Sequence, residues 1–171
     1  MKIGKHGLRE HIRLMRPIFV LITAVWALRF ILAAAKSPEW ITKITSVTTS
    51  VAVAVLLAVL VIHLKRFGGY ASVVVAALLF NSWAQALISG AIYFTQLTGR
   101  QNVFTAPEFS IPGEPLSHLR HMYAHLTFSI GIGTLVGATF GCLMLFLLRK
   151  LGPSPATESA WVGKHEVRNG F

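Results

Sequence analysis

The chain has 171 residues, of which 13% are charged and 54% are hydrophobic, and its mean hydropathy is +0.62. A soluble domain carries about 25% charged residues, so this composition excludes an ordinary soluble protein. The net charge of +10 does not indicate nucleic-acid binding, because the cations flank apolar runs and form no continuous basic face with aromatics between them. Attraction to anionic lipid headgroups explains them better. The single cysteine, Cys142, excludes an intrachain disulfide.

Four apolar runs are long enough to cross a bilayer, because a membrane-spanning helix needs about 20 residues. The sequence therefore predicts an all-α fold, an integral membrane four-helix bundle with spans at 17–35, 44–64, 70–95 and 123–148. Together the spans form a transmembrane domain over residues 17–151. They are accompanied by a basic leader, a long polar loop and a tail without apolar periodicity, at residues 1–16, 96–115 and 152–171.

The lysines and arginines are distributed unequally between the two sides of the predicted bundle. Eleven lie in the leader, in the turn after the second span or in the tail, and four lie on the opposite side. Cytoplasmic segments carry the excess of Lys and Arg. We therefore expect a multi-pass protein of the cell inner (plasma) membrane, with both termini cytoplasmic and the loop 96–115 outside.

Arg29 interrupts the first span about two thirds of the way along it. A charge at that depth costs at least about 3 kcal/mol unless it is solvated or paired. All six acidic residues lie outside the apolar runs, so no carboxylate within the membrane is available to pair with it. Arg29 therefore either snorkels to the outer headgroups or contacts polar side chains, water, a lipid phosphate, a ligand anion or another subunit.

Three polar residues of the third span, Asn81, Gln85 and Ser89, recur every four residues. This spacing places them along one face of a helix. Amides are unfavourable against lipid, so the stripe indicates either interhelical hydrogen bonds or a ligand site.

Three histidines, His118, His121 and His125, precede or begin the fourth span. If that helix begins near Pro115, offsets of three, four and seven bring the imidazoles into one sector. Histidines four residues apart can bind a transition metal such as Zn, Cu or Fe, with Glu108 and Glu114 as further candidate ligands. The alternative is three interfacial histidines without metal. A single-chain bis-histidine haem site is excluded, because His63 is predicted at the inner end of the second span, a full membrane thickness away from His125.

The fourth span also contains Gly133, Gly137 and Gly141, one glycine every four residues. This spacing, typical of a glycine zipper, removes side chains from one helix face and lets another helix approach closely. The spacing leaves open whether the neighbour belongs to the same chain or to another copy.

The polar residues of the spans are expected to cluster in the outer half of the membrane. We therefore predict an outward-facing polar cup that binds or transports an anionic or amphiphilic ligand, or seats a partner subunit, with Arg29, Asn81, Gln85, Ser89 and His125 as its ligand-binding residues. We expect no catalytic residues, no nucleic-acid partner, and a homo-oligomer or a subunit of a larger membrane complex. The alternative function is a membrane anchor or quinone-site subunit of a redox complex, with a quinone as cofactor beside Arg29, His125, Tyr93 and Trp26. A third possibility is a metalloenzyme at the three histidines.

Overall fold

The computed structural model describes residues 2–3, 6–100, 102–105 and 117–151. Most of the predicted outer loop, including Glu108 and Glu114, and the whole predicted tail 152–171 lie outside the described residues. The described chain contains a two-stranded hairpin and six α-helices, the last two joined by a π-helical turn. Their bounds are β1 Lys2–Ile3, β2 His6–Gly7, α1 Leu8–Ala34, α2 Glu39–Ile44, α3 Val47–Leu64, α4 Tyr70–Thr98, α5 Ser117–Ala124, the π turn His125–Ser129 and α6 Ile130–Leu151.

Four helices are long and apolar enough to cross a membrane: α1, α3, α4 and the continuous rod α5–π–α6 over Ser117–Leu151. This confirms the predicted all-helical fold with four candidate spans. The inside location of the termini stays a prediction.

The first helix is longer than the sequence pattern predicts, beginning at Leu8 and not at Pro17. Two features of the leader explain the difference. The Glu10 carboxylate accepts a hydrogen bond from the Gly7 amide at 2.7 Å, which stabilises the helix start. The leader is also amphipathic, because His11 and Met15 are buried while the arginines between and beside them are exposed.

Helix α4 begins at Tyr70 as predicted, but the starts of the other two long helices differ from the predicted bounds. The second long helix begins at Val47 and not at Ile44, because Ser46 adopts an extended conformation at its N-cap. The fourth begins at Ser117, six residues before Tyr123.

Helix α4 packs against α1, α3 and α6, and α3 also packs against α1 and α6. The pair α3–α4 therefore forms the centre of the bundle, with α1 and α6 as its flanks. Buried residues from all four long helices form one core that includes Met15, Ile22, Ile62, Phe80 and Leu145. Many large apolar side chains on the outer faces are exposed, among them Val20, Leu135 and Phe140. Such an outer surface is suited to lipid.

We call the two ends of the bundle the leader end, where α1 and α4 begin, and the loop end, where α1 and α4 end. The leader end is closed by contacts to the turn between α3 and α4. The fully buried His11 donates from Nδ1 to the Gly7 carbonyl at 2.9 Å and accepts from the Ser72 hydroxyl at 3.1 Å. Arg149, in the last turn of α6, donates a hydrogen bond to the carbonyl of Gly68 in the α3–α4 turn at 3.1 Å. Gly68 has φ +74°, a left-handed conformation that favours glycine.

The three spaced glycines of α6 face α3 and α4 of the same chain. A Cβ at Gly133 would collide with the Asn81 side chain, and one at Gly141 would lie 2.7 Å from Val73 Cγ1 and 3.1 Å from Val55 Cγ1. A Cβ at Gly137 would make ordinary contacts of 3.4 Å or more. The close approach therefore occurs between helices of this chain, an outcome that the spacing left open.

Candidate functional site

Arg29 lies on the interior face of α1. The buried residues of this helix are His11, Met15, Ile18 and Ile22, and Arg29 follows Ile22 by seven residues, which is two helical turns. The side chain is partly buried, and its Nε atom is fully enclosed. Because Arg29 continues the buried stripe of α1, it points toward the bundle and not along the lipid-facing surface.

A short turn after α4 returns over the loop end and covers Arg29. Asn102 fixes this turn: its side-chain amide donates to the Ala91 carbonyl at 2.7 Å and to Thr95 Oγ1 at 2.8 Å, while its Oδ1 accepts from the Phe104 amide at 2.9 Å. Thr105 completes the turn by donating to the Asn102 carbonyl at 2.7 Å. Phe104 is thereby buried at the end of the bundle, although it belongs to a connecting loop.

Three aromatic rings form one cluster beside Arg29. The Phe104 ring stacks on Trp26 with centroids 6.3 Å apart and meets Phe30 edge to face at 5.3 Å. The guanidinium carbon of Arg29 lies 5.4 Å from the Phe104 ring centroid, in cation–π geometry. We call these four residues the loop-end cluster.

Two hydrogen-bond donors of the loop-end cluster are buried without an acceptor. Neither Arg29 Nε nor Trp26 Nε1 has a hydrogen-bond partner among the described residues. A cation–π contact attracts the charge but accepts no N–H bond, so it leaves both donors unsatisfied. A buried donor without an acceptor costs about 1–3 kcal/mol, and more for a charged group. A group that supplies acceptor oxygens would satisfy both donors, and because both atoms are enclosed it would displace side chains of the cluster to reach them.

An apolar groove of about 570 Å³ runs between α1 and α4 beside this cluster. Trp26 and Phe30 of the cluster line it from α1, and Leu87, Ala91 and Phe94 line it from α4. Toward the leader end the two helices are joined by a hydrogen bond from Trp83 Nε1 to Thr23 Oγ1 at 2.9 Å. The groove thus places an apolar surface next to the two unsatisfied donors.

The polar stripe of α4 is buried, and two of its three members face the rod that contains α6. Asn81 donates to the carbonyl of Ala77 in its own helix at 2.9 Å and lies against Gly133. Gln85 Oε1 is 2.7 Å from His125 Nδ1, which is an interhelical hydrogen bond. Ser89 Oγ is buried without a partner among the described residues. Interhelical packing and hydrogen bonding therefore account for Asn81 and Gln85 without a ligand.

The contacts of the predicted ligand-binding residues divide between two helix interfaces. Arg29 belongs to the cluster with Phe104, whereas Asn81, Gln85 and His125 lie between α4 and the rod α5–π–α6. No hydrogen bond or ring contact within the described ranges joins Arg29 to the α4 stripe or to His125. Among the described residues the two groups are therefore not in direct contact, and the single outward-facing cup stays a prediction.

Two of the three predicted metal-ligating histidines are in direct contact. His121 Nε2 and His125 Nε2 are 3.0 Å apart, with ring centroids at 4.8 Å. His118 lies one turn earlier on α5. Over the residues that the structure describes, no three His, Cys, Asp or Glu side chains form a group that could hold a metal ion. The three-histidine metal site and its carboxylate ligands stay a prediction.

The residues expected around a quinone are also divided. Trp26 and Arg29 belong to the loop-end cluster, His125 contacts Gln85, and Tyr93 is 49% exposed. The contacts of these residues do not favour the quinone alternative over an anion site.

Asn102 and Phe104 are the functional candidates that sequence reasoning missed. The signal available was Asn102-Val103-Phe104-Thr105, in which Asn and Thr three residues apart are suited to a side-chain-capped turn with an aromatic inside it. That signal predicts a turn at these residues, but it does not predict against which helices the turn packs.

Comparison of the chain with protein-family models, with curated proteins and with solved structures found no match. Among the described residues, the loop-end cluster and the histidine pair have chemistry that packing alone does not explain.

Proposed function

We propose that this chain is a membrane protein that binds an anionic amphiphile at its loop end. The anionic headgroup contacts Arg29 and Trp26, and the apolar chain lies in the groove between α1 and α4. The observation that carries the proposal is the pair of buried donors, Arg29 Nε and Trp26 Nε1, which have no acceptor among the described residues.

Charge supports an anion over a neutral acceptor. The acidic residue of α1, Glu10, is 19 positions from Arg29, or about 28 Å along the helix, so it does not neutralise the arginine. Arg29 makes no ion pair with any described residue. An anion at Arg29 would supply both the missing charge and the missing acceptors.

The apolar groove supports an amphiphile over a free anion. Its walls are the aromatic and aliphatic side chains of α1 and α4, with almost no polar atoms between Trp26 and Phe94. Burying an alkyl chain there contributes about 0.8 kcal/mol per CH₂ group. A phospholipid or a fatty acid has both the oxygens that the donors need and the chain that the groove accepts.

The test is a thermal-unfolding titration of the purified protein with an anionic phospholipid, a zwitterionic phospholipid, a fatty acid and inorganic phosphate. Binding raises the midpoint because ligand binds the folded state preferentially. We expect the anionic lipid or the fatty acid to raise it and the zwitterionic lipid and phosphate to leave it unchanged. Stabilisation by phosphate would point to a free anion, and no stabilisation by any anion would contradict the proposal.

Variants of Arg29 show whether the effect arises at the loop-end cluster. Arg29→Gln should fold but lose the stabilisation, and Arg29→Lys should retain a part of it. Arg29→Glu should lose it because its negative charge repels the anion, and it should unfold at a lower temperature because an unpaired carboxylate is then partly buried. Arg16→Gln is the matched control, since Arg16 is an exposed arginine of the same helix. If Arg29→Gln responds to the anionic amphiphile as the wild type does, the proposal is wrong.

A further inference from the structure

The contact between His121 and His125 is arranged by a hydrogen bond from the neighbouring helix. His125 is the first residue of the π turn, and its Nδ1 lies 2.7 Å from Gln85 Oε1. Because an amide oxygen only accepts, His125 Nδ1 carries the proton and donates it. The neutral ring then has its lone pair on Nε2, the atom that faces His121 Nε2 at 3.0 Å.

This is the arrangement that orients a metal-binding histidine. A ligating imidazole typically donates its second ring N–H to a carbonyl or carboxylate, which fixes both the tautomer and the ring direction. Gln85 is 8% exposed and comes from α4, so the acceptor is held by the centre of the bundle. The π turn, a form that frequently marks functional sites, begins at the oriented histidine.

The separation of the two nitrogens matches two ligands of one ion. With metal–nitrogen bonds of about 2.0–2.1 Å, two Nε2 atoms 3.0 Å apart subtend an angle of about 94° at the metal. That is close to the right angle between neighbouring ligands in the tetragonal geometry of Cu²⁺ and Ni²⁺, and smaller than a tetrahedral angle. Cu²⁺ also has the highest affinity among divalent first-row ions for nitrogen ligands.

We propose that His121 and His125 form a two-imidazole binding site for a divalent transition metal ion, with Cu²⁺ as the preferred ion and Gln85 as the positioning residue. Both imidazoles bind through Nε2, and the proton that His121 carries on Nε2 in the metal-free pair moves to its Nδ1. Both rings are partly exposed, so water can occupy the remaining coordination positions. The site is independent of the amphiphile site at Arg29.

The experiment is metal binding by the purified full chain in detergent. The protein is equilibrated with Cu²⁺ or Zn²⁺, desalted and analysed for metal by mass spectrometry, and the copper form is examined by electron paramagnetic resonance. We expect one Cu²⁺ per chain with hyperfine splitting from two imidazole nitrogens, and weaker retention of Zn²⁺. Absence of bound copper, or a copper spectrum without nitrogen splitting, would overturn the proposal without any variant being needed.

Substitutions assign the bound ion to the pair. His121→Gln and His125→Gln should each abolish stoichiometric copper, and Gln85→Leu should weaken binding by about 10–100-fold. His63→Gln is the matched control, because His63 lies at the leader end of α3. Unchanged copper in His121→Gln and His125→Gln would overturn the site, and loss of copper in His118→Gln would overturn its two-imidazole composition.

Discussion

At the scale of single residues, the proposed function depends on the balance between the free-energy cost of placing Arg29 in the membrane and the contacts that offset it. A cation–π contact with Phe104 contributes about 0.5–2 kcal/mol, whereas a charged arginine within a membrane costs about 3 kcal/mol or more. The ring therefore offsets a part of the cost and leaves the donors Arg29 Nε and Trp26 Nε1 unsatisfied. The proposed anion would offset the remainder.

The sequence was sufficient to identify Arg29, because a lone charge in an apolar run is visible without a structure. It was insufficient for Phe104, since an aromatic residue in a polar loop has no periodicity that indicates burial. Its position depends on the hydrogen bonds of Asn102 to Ala91 and Thr95, which require α4 to be folded first. Non-local contacts of this kind have no signature in a sequence window.

The first prediction concerns the ring that covers Arg29. Phe104→Leu keeps an apolar side chain over the guanidinium but removes the aromatic quadrupole, so it should lower the free energy of unfolding by about 1–2 kcal/mol. Phe140→Leu is the matched control, because Phe140 is 63% exposed on α6. Denaturant titration in detergent measures both values, and equal losses in the two variants would show that the cation–π contact contributes nothing.

At the scale of elements, apolar run length predicted the number of long helices but not all of their ends. Arginines interrupt the hydropathy of the leader, so the sequence pattern separates the leader from the first span. In the structure the two are one helix, with Arg9, Arg13 and Arg16 on its exposed face and His11 and Met15 on its buried face. The π turn at His125–Ser129 has no sequence signature either. It widens the helix where His125 reaches Gln85 of α4.

The second prediction concerns the close contact of α6 with α3 and α4. Gly141→Ala should destabilise the protein by about 1–3 kcal/mol, because the added Cβ would lie 2.7 Å from Val73 Cγ1 and 3.1 Å from Val55 Cγ1. Gly131→Ala provides the control, since a Cβ there meets no atom within 4 Å.

Both substitutions gain the same helix propensity, about 1 kcal/mol, so their difference isolates the steric contact. Gly137→Ala should lie between them, because its nearest contact would be an ordinary 3.4 Å. Thermal unfolding of the three variants ranks them. A Gly141→Ala protein as stable as Gly131→Ala would mean that α6 does not approach α3 and α4 this closely.

At the scale of the whole molecule, helix packing assigns residues of the predicted cup to two interfaces. The sequence placed Arg29 and His125 at similar depths, but depth does not determine which helices are neighbours. Helices α1 and α6 both pack against α3 and α4, and the described residues show no extensive packing of α1 on α6, so Arg29 and His125 lie in different interfaces. The proposed anion site at α1 and the proposed metal site at the π turn are therefore separate.

The third prediction concerns the orientation of the bundle in the membrane. Single cysteines at Ser110 and Ser159, introduced after Cys142→Ser, should react with an impermeant thiol reagent from opposite sides, Ser110 from outside. The reason is the excess of Lys and Arg on the side of the leader and the tail. Equal labelling of both positions in intact cells would contradict the four-span topology.

Native mass spectrometry of the purified protein tests the central claim, the amphiphile at Arg29, most directly, because it weighs the chain together with its bound molecules and reports copy number and partners. Wild type and Arg29→Gln are released from the same detergent, with Arg16→Gln as the control. We predict one anionic amphiphile per chain in the wild type and in Arg16→Gln, and none in Arg29→Gln. Equal occupancy in all three, or a wild-type chain that carries no anionic molecule, would contradict the claim.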